Sequence, residues 1–157
     1  MCIRDRLDSL LEDMSLYWND DKYIVDTFVL KTIKRFDEAK GADQELLPEF
    51  KDEEDREFAH RLFRNTLLNA EYYRKLISDN TKNWEFNRIA LMDLLIMQIA
   101  LAEILTFPNI PLNVSLNEYV DIAKIYSTPR SGAYVNGLLD AVSKKLIAEK
   151  KLEKTNN

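Results

Sequence analysis

Ile89-Ala90-Leu91-Met92-Asp93-Leu94-Leu95-Ile96-Met97-Gln98-Ile99-Ala100-Leu101-Ala102-Glu103-Ile104-Leu105 decides the fold of this chain. Only Asp93, Gln98 and Glu103 interrupt an otherwise apolar run, and the spacing of five residues turns them to three different sides of a helix. A helix with no continuous wet face is a central, buried one. The run is a poor membrane span: it falls short of the ~18 to 20 uninterrupted apolar residues that a crossing needs, and it carries two carboxylates that are costly in hydrocarbon.

Outward from this helix the chain reads as all-α. Its 157 residues are 46% hydrophobic and 31% charged with three Gly and four Pro, a balance that fits long helices separated by few turns, in one domain or two small packed subdomains. Towards the N-terminus, Leu7, Leu10, Leu11, Met14 and Tyr17 form one amphipathic stripe. The hexapeptide Met1 to Arg6 adds nothing to that stripe, resembles translated sequencing adaptor, and is read as a non-native start to a chain that continues upstream. Asn19-Asp20-Asp21 offers a cap for a second helix lined by Val25, Phe28, Val29, Thr32 and Phe36 and stopped by Gly41. After a loop over 41–51, Asp52, Glu53, Glu54 and Asp55 load the positive end of a third helix, which runs through Ala59, Leu62, Phe63, Thr66, Ala70, Tyr73 and Ile77 to Asp79-Asn80.

Beyond the central helix, Pro108 and Pro111 predict an extended, kinked linker. Ser115 and Glu118 have the spacing of a capping box for a helix ending near Tyr126. Thr128 then caps a last helix with Pro129 at its first position and Tyr134, Leu138, Val142 and Leu146 on its buried face, and the Lys-rich end, Lys144 to Lys154, frays into solvent. The implied organisation is a doubtful start at 1–6, an N-terminal helical segment at 7–51, a helical domain at 52–147 and a polar tail at 148–157.

Several function classes are excluded or weakened. A lone cysteine, Cys2, forms no internal disulfide, and neither it nor the lone histidine, His60, has zinc-ligand spacing, so no metal or cofactor is expected and a cytoplasmic setting fits. The N-terminus turns charged at Arg4, Asp5 and Arg6 before any signal-type apolar segment. His60 lies near Arg56, Arg61 and Arg64 without a serine or cysteine nucleophile beside it, and the acidic pairs sit at helix starts, where the helix dipole accounts for them. No enzyme and no small-molecule substrate is therefore expected. A net charge of −5 makes any nucleic-acid contact local or shared with a partner.

Two segments carry a more specific pattern: Pro111-Leu112-Asn113-Val114-Ser115-Leu116-Asn117-Glu118 and Tyr134-Val135-Asn136-Gly137-Leu138-Leu139-Asp140. Asparagine is an unfavourable choice inside helices, so Asn117 and Asn136 imply a specific contact. Together with Arg88-Ile89-Ala90, these segments resemble the NusB family, and the resemblance covers roughly 52–147. The Trp18-Asn19-Asp20-Asp21 stretch is similar to long-form members with extra sequence after their first helix. The resemblance implies an all-α NusB-like bundle of about six helices in two packed subdomains. It further implies transcription antitermination through binding of boxA-type nascent RNA together with NusE, a ribosomal protein, within the RNA polymerase antitermination complex. Family members begin with an arginine-rich helix that contacts RNA; here that helix is missing or replaced by one with an acidic exposed face. RNA binding is thus expected to be weak or lost, with apolar surface uncovered and self-association favoured.

By this resemblance Asp93, Glu118, Lys124 and Arg130 face the NusE-type partner, and Arg130, Ser131 and Tyr134 face RNA. Three of them have a plainer reading. Asp93 pairs internally with Arg88 or Arg64, Arg130 is merely solvated, and Tyr134 fills the space between helices, the role favoured for it here. Asn117, Asn136 and Gly137 are read as structural, fixing helix ends and crossings, with another backbone packed on Gly137. Two other functions stay open: the NusB-like N-terminal module of an rRNA cytosine methyltransferase, whose cofactor domain this chain does not contain, or a helical protein-interaction module without RNA binding.

Overall fold

The computed structural model describes residues 9–10, 18–81, 86–152 and 154, with side chains in the first helix described from Ile24 onward. Six α-helices and one 3-10 helix account for the described elements, with no strand among the described residues. The chain divides into two compact units, Met1–Lys51 and Asp52–Asn157.

In the first unit, helix α1 (Trp18–Arg35) is followed by a 3-10 helix at Glu38–Asp43. Asn19-Asp20-Asp21 lies within α1, not ahead of it. The predicted stripe from Leu7 to Tyr17 falls outside the described residues except for Leu10, which is helical and exposed. The helix ends at Arg35, six residues before Gly41, because Asp37 offers the backbone a competing partner: its carboxylate accepts from the Ala39 N–H at 3.0 Å. Gly41, at φ +50°, kinks the 3-10 segment. Ile24, Val25, Phe28, Val29 and Ile33 line an apolar groove with Leu46 and Leu47.

In the second unit, α2 (Glu53–Leu68) opens on Asp52, whose side chain accepts from the Asp55 N–H at 2.9 Å as the acidic start predicts. The single predicted helix breaks at Asn69, and α3 (Ala70–Asp79) begins there. Asn69 turns its backbone N–H and its amide back onto the Asn65 carbonyl, closing α2. The outer face of α2 exposes Phe63, which the periodicity places inside, with Leu67 and Leu68 beside His60 and Arg64.

Helix α4 (Leu91–Thr106) packs against α2, α3, α5 and α6 and is mostly buried, but unlike the expected faceless helix it leaves Leu91 and Leu95 exposed on one side, where no described helix covers them. All three of its polar interruptions are buried, and each holds a different neighbour. Asp93 accepts from the Ser127 hydroxyl in the turn after α5. Gln98 Nε2 donates to the Ala70 carbonyl at the start of α3, at 3.1 Å. Glu103 accepts from the Tyr119 hydroxyl of α5 at 2.9 Å. Met97, Ala100, Leu101 and Ile104 fill the space between these ties with Ile77, Val135, Leu139, Val142 and Leu146.

The predicted extended linker is instead a turn, closed by the Ile110 N–H on the Phe107 carbonyl at 3.3 Å. Phe107 is held on α2 by the Phe58 ring, 4.7 Å between centroids, and by the Arg61 guanidinium, 5.0 Å above it. Helix α5 (Leu112–Tyr126) starts earlier than a capping box at Ser115 and Glu118 requires. The Pro111 carbonyl already accepts from the N–H groups of Val114 and Ser115, so the helix nucleates at the proline and Ser115 becomes a fully buried interior residue. Helix α6 (Ser131–Ala148) likewise begins after Pro129, because residues 128–131 form a turn with the Ser131 N–H on the Thr128 carbonyl.

The C-terminal segment does not fray after α6. Lys150 adopts φ +56°, and the Lys151 N–H returns to the Leu146 carbonyl at 2.8 Å. This turn folds the chain back, burying Leu152 and Lys154. Among the described residues no helix is long and apolar enough to cross a membrane.

Two stability outcomes follow. Left-handed backbone costs a lysine about 1 kcal/mol that glycine avoids, so Lys150→Gly raises unfolding free energy in urea by up to about 1 kcal/mol, reduced by glycine's greater unfolded-state freedom. Burial, and then the Glu103 charge, hold the Tyr119 hydroxyl pKa well above its usual 10.0. A pKa raised by folding contributes stability that is full below pH 10 and declines as pH rises beyond it, so stability falls more steeply above pH 10 in the parent than in Tyr119→Phe.

Candidate binding groove

The start of α4 and the α5–α6 turn meet because Asp93 requires an acceptor's partner in a buried place. Ser127 Oγ donates to Asp93 Oδ1 at 2.5 Å, and Ser131 Oγ donates to Ser127 Oγ at 3.0 Å. The Ser131 oxygen also accepts from the Thr128 N–H at 3.1 Å and lies 2.8 Å from Thr128 Oγ1. With its one proton committed to Ser127, Ser131 must accept from Thr128. Three hydroxyls thus form one relay ending on a carboxylate, and they fix the turn that presents Arg130.

Close helix approach fixes the same turn from behind. A Cβ on Gly132 would stand 2.9 Å from Lys124 Cγ, so only glycine lets the Lys124 stem lie across the start of α6. The Lys124 ammonium reaches Asp121 at 2.7 Å in an exposed pair.

Arg88, Ile89, Ala90, Asp93, Thr128, Arg130, Ser131 and Tyr134 line an open groove of about 690 Å³. Ile89 and Ala90 give it a half-buried apolar floor, and Tyr134 stands at 37% exposure on its wall. Tyr134 is therefore not the interhelical filler that its spacing suggests; α6 turns Val135 and Leu138 inward instead. Two guanidinium groups against one buried carboxylate make the groove locally cationic on a chain of net charge −5. Aromatic face, hydroxyl oxygens and guanidinium groups together suit a ligand with flat rings and negative charge.

Of the residues proposed from sequence, the groove gathers Asp93, Arg130, Ser131 and Tyr134. Glu118 and Lys124 are exposed on α5 and do not line it. Asn117, Asn136 and Gly137 are exposed, and a Cβ on Gly137 would meet nothing within 4 Å, so no backbone packs there and the close-approach glycine is Gly132. The sequence assigns no binding role to Arg88, an internal partner within a family-like segment, or to Thr128, a cap. Their sequence signal was present, in three hydroxyl residues and an arginine within Ser127-Thr128-Pro129-Arg130-Ser131. Among the described residues, no three His, Cys, Asp or Glu side chains are grouped to hold a metal ion.

Comparison with known proteins matches the NusB family over residues 22–144, which spans every helix that builds the groove. The chain belongs to the NusB family. The transcription antitermination protein NusB of Salinibacter ruber is 40% identical to this family member over 133 residues, covering 81% of this chain and 83% of that one. The protein of the same name from Geotalea daltonii is 34% identical over 134 residues, covering 84% and 88%. The solved structure of T. maritima NusB superposes with a TM-score of 0.59 at 34% identity, covering 67% of this chain and 74% of that chain. The all-helical fold of the described residues and this structural match agree with the fold expected from the sequence resemblance.

The relay makes Asp93 a positioning residue whose coupling to the turn is measurable. Asp93→Ala leaves buried hydroxyls without their terminal acceptor and costs about 1–3 kcal/mol in urea unfolding. A double-mutant cycle with Ser127→Ala gives a coupling of at least about 0.5 kcal/mol, whereas independent sites give none.

Proposed function

We propose that this NusB-family chain is a non-enzymatic transcription antitermination factor that binds boxA-type nascent RNA together with a NusE-type ribosomal protein. The relatives named for transcription antitermination support the general role. The observation that carries the finer reading is the groove, where Arg88, Arg130 and Tyr134 surround a rigid hydroxyl turn. In this reading Arg88 and Arg130 meet phosphates, and Tyr134 stacks on an unpaired base. Arg130 also reaches the protein partner, with Glu118 and Lys124 on the adjoining exposed face of α5. Asp93 is 6% exposed and serves both contacts through the turn that it holds.

Charge dictates how the two ligands cooperate. A chain of net charge −5 gathers polyanion poorly at long range, so RNA is held by the few groove cations and by a protein partner bound alongside.

The test is titration of the intact chain with NusE, alone and with boxA RNA, at several salt concentrations. Expected results are micromolar or tighter binding of NusE and stronger RNA binding when NusE is present. Arg130→Ala and Arg88→Ala each lower the salt slope of RNA binding by roughly one, and Tyr134→Ala weakens RNA by about 1–3 kcal/mol across sequences. No NusE binding by a folded sample at micromolar concentration would falsify the proposal.

A further inference from the structure

A second cavity, of about 300 Å³, lies on the same unit between the α4–α5 junction, at Leu105 and Pro108, and the C-terminal turn that carries Lys150, Lys151 and Lys154. It is formed by the left-handed backbone of Lys150, which folds the chain back over α5. Lys154 enters the interior at 8% exposure. Among the described residues its ammonium has a single hydrogen bond, a long one of 3.4 Å to Ser115 Oγ, and no carboxylate within salt-bridge reach. An ammonium has three donors, and a buried cation with most of its donors unused is costly. Burial lowers the Lys154 pKa, and only the more distant Glu103 charge opposes that effect. The Glu103 carboxylate is itself engaged by Tyr119.

The rim is cationic as well. Lys151 shares its ammonium with Glu149 at 2.7 Å, while Lys150 stands exposed at the mouth. At about 30 Å³ per water in the liquid, the cavity admits one tetrahedral oxyanion together with part of the group that carries it.

We propose that this cavity binds a phosphate group, with Lys154 donating from the floor and Lys150 from the rim. Phosphate fits better than a carboxylate because its oxygens are distributed in three dimensions and can meet donors on both walls. The site is separate from the groove at Arg88 and Tyr134 and does not depend on the function proposed for that groove. Free phosphate and a nucleic-acid backbone share the chemistry that the site recognises.

The experiment is an amide NMR titration of the intact chain with inorganic phosphate against chloride at matched ionic strength, with a short single-stranded RNA as a second arm. Saturable shifts at Leu105 and at residues 150–152 are expected with phosphate in the millimolar range, and with RNA as well if the source is a backbone. Lys154→Met should abolish them, and Lys150→Gln should weaken them by about tenfold, as loss of a charge-assisted donor does. Should Lys154→Met fail to fold, Lys150→Gln and the charge reversal Lys150→Glu decide. Amides unmoved in both arms, or variants that titrate like the parent, would overturn the proposal. Shifts confined to Arg88 and Tyr134 would overturn it while leaving the groove intact.

Discussion

One constraint governs the second unit: three polar side chains must be satisfied inside a mostly buried helix that has no polar face. Asp93, Gln98 and Glu103 point in three directions, and burial leaves each with only the partners that neighbouring segments bring. An apolar helix in their place would pack with similar area but without a fixed rotation about its axis, since hydrophobic burial is not directional. The polar ties give α4 one azimuth and so give α3, α5 and the α5–α6 turn their places. Breaking any one leaves a buried group unsatisfied, which is the expensive side of hydrogen-bond energetics.

The groove inherits its order from the first of these ties. Asp93 is nearly buried at the groove wall, and its carboxylate aligns the hydroxyls that hold the backbone beneath Arg130. The start of α6 is pressed against Lys124 by the missing side chain of Gly132, so the turn is clasped from both sides. Arg130 and Tyr134 are therefore exposed side chains on a stiff support, the arrangement that lowers the ordering cost of binding.

The fold was largely legible in the sequence because its strongest signal is periodicity: the nearly unbroken apolar run of α4, the acidic start of α2 and the apolar face of α6 are all visible as spacing. What spacing does not carry is phase at helix starts. Ser115 with Glu118 has the form of a cap, but the Pro111 carbonyl captures the first donors one turn earlier and converts Ser115 into core. The same weakness placed Tyr134 inside and a packed backbone against Gly137, because alternating small and apolar residues on α6 leave its inner edge ambiguous by about one position. Lys154 departs from its expected exposure for another reason. Lysine-rich composition describes solvation, whereas its burial depends on a left-handed turn at Lys150, a position where glycine would ordinarily announce the reversal. The site was half legible: residue types pointed to the α5–α6 turn, but the contact between that turn and Asp93 joins segments far apart in the chain.

The relay of hydroxyls has a sense as well as a geometry. Thr128 gives its proton to Ser131, Ser131 to Ser127, and Ser127 to Asp93, so every hydroxyl proton runs inward. The exposed end, Thr128, consequently shows only lone pairs to the outside. Along one wall the groove is an acceptor, and at Arg88 and Arg130 it is a donor. A group that pairs with the threonine oxygen must donate to it, whereas a group that pairs with the arginines must accept from them.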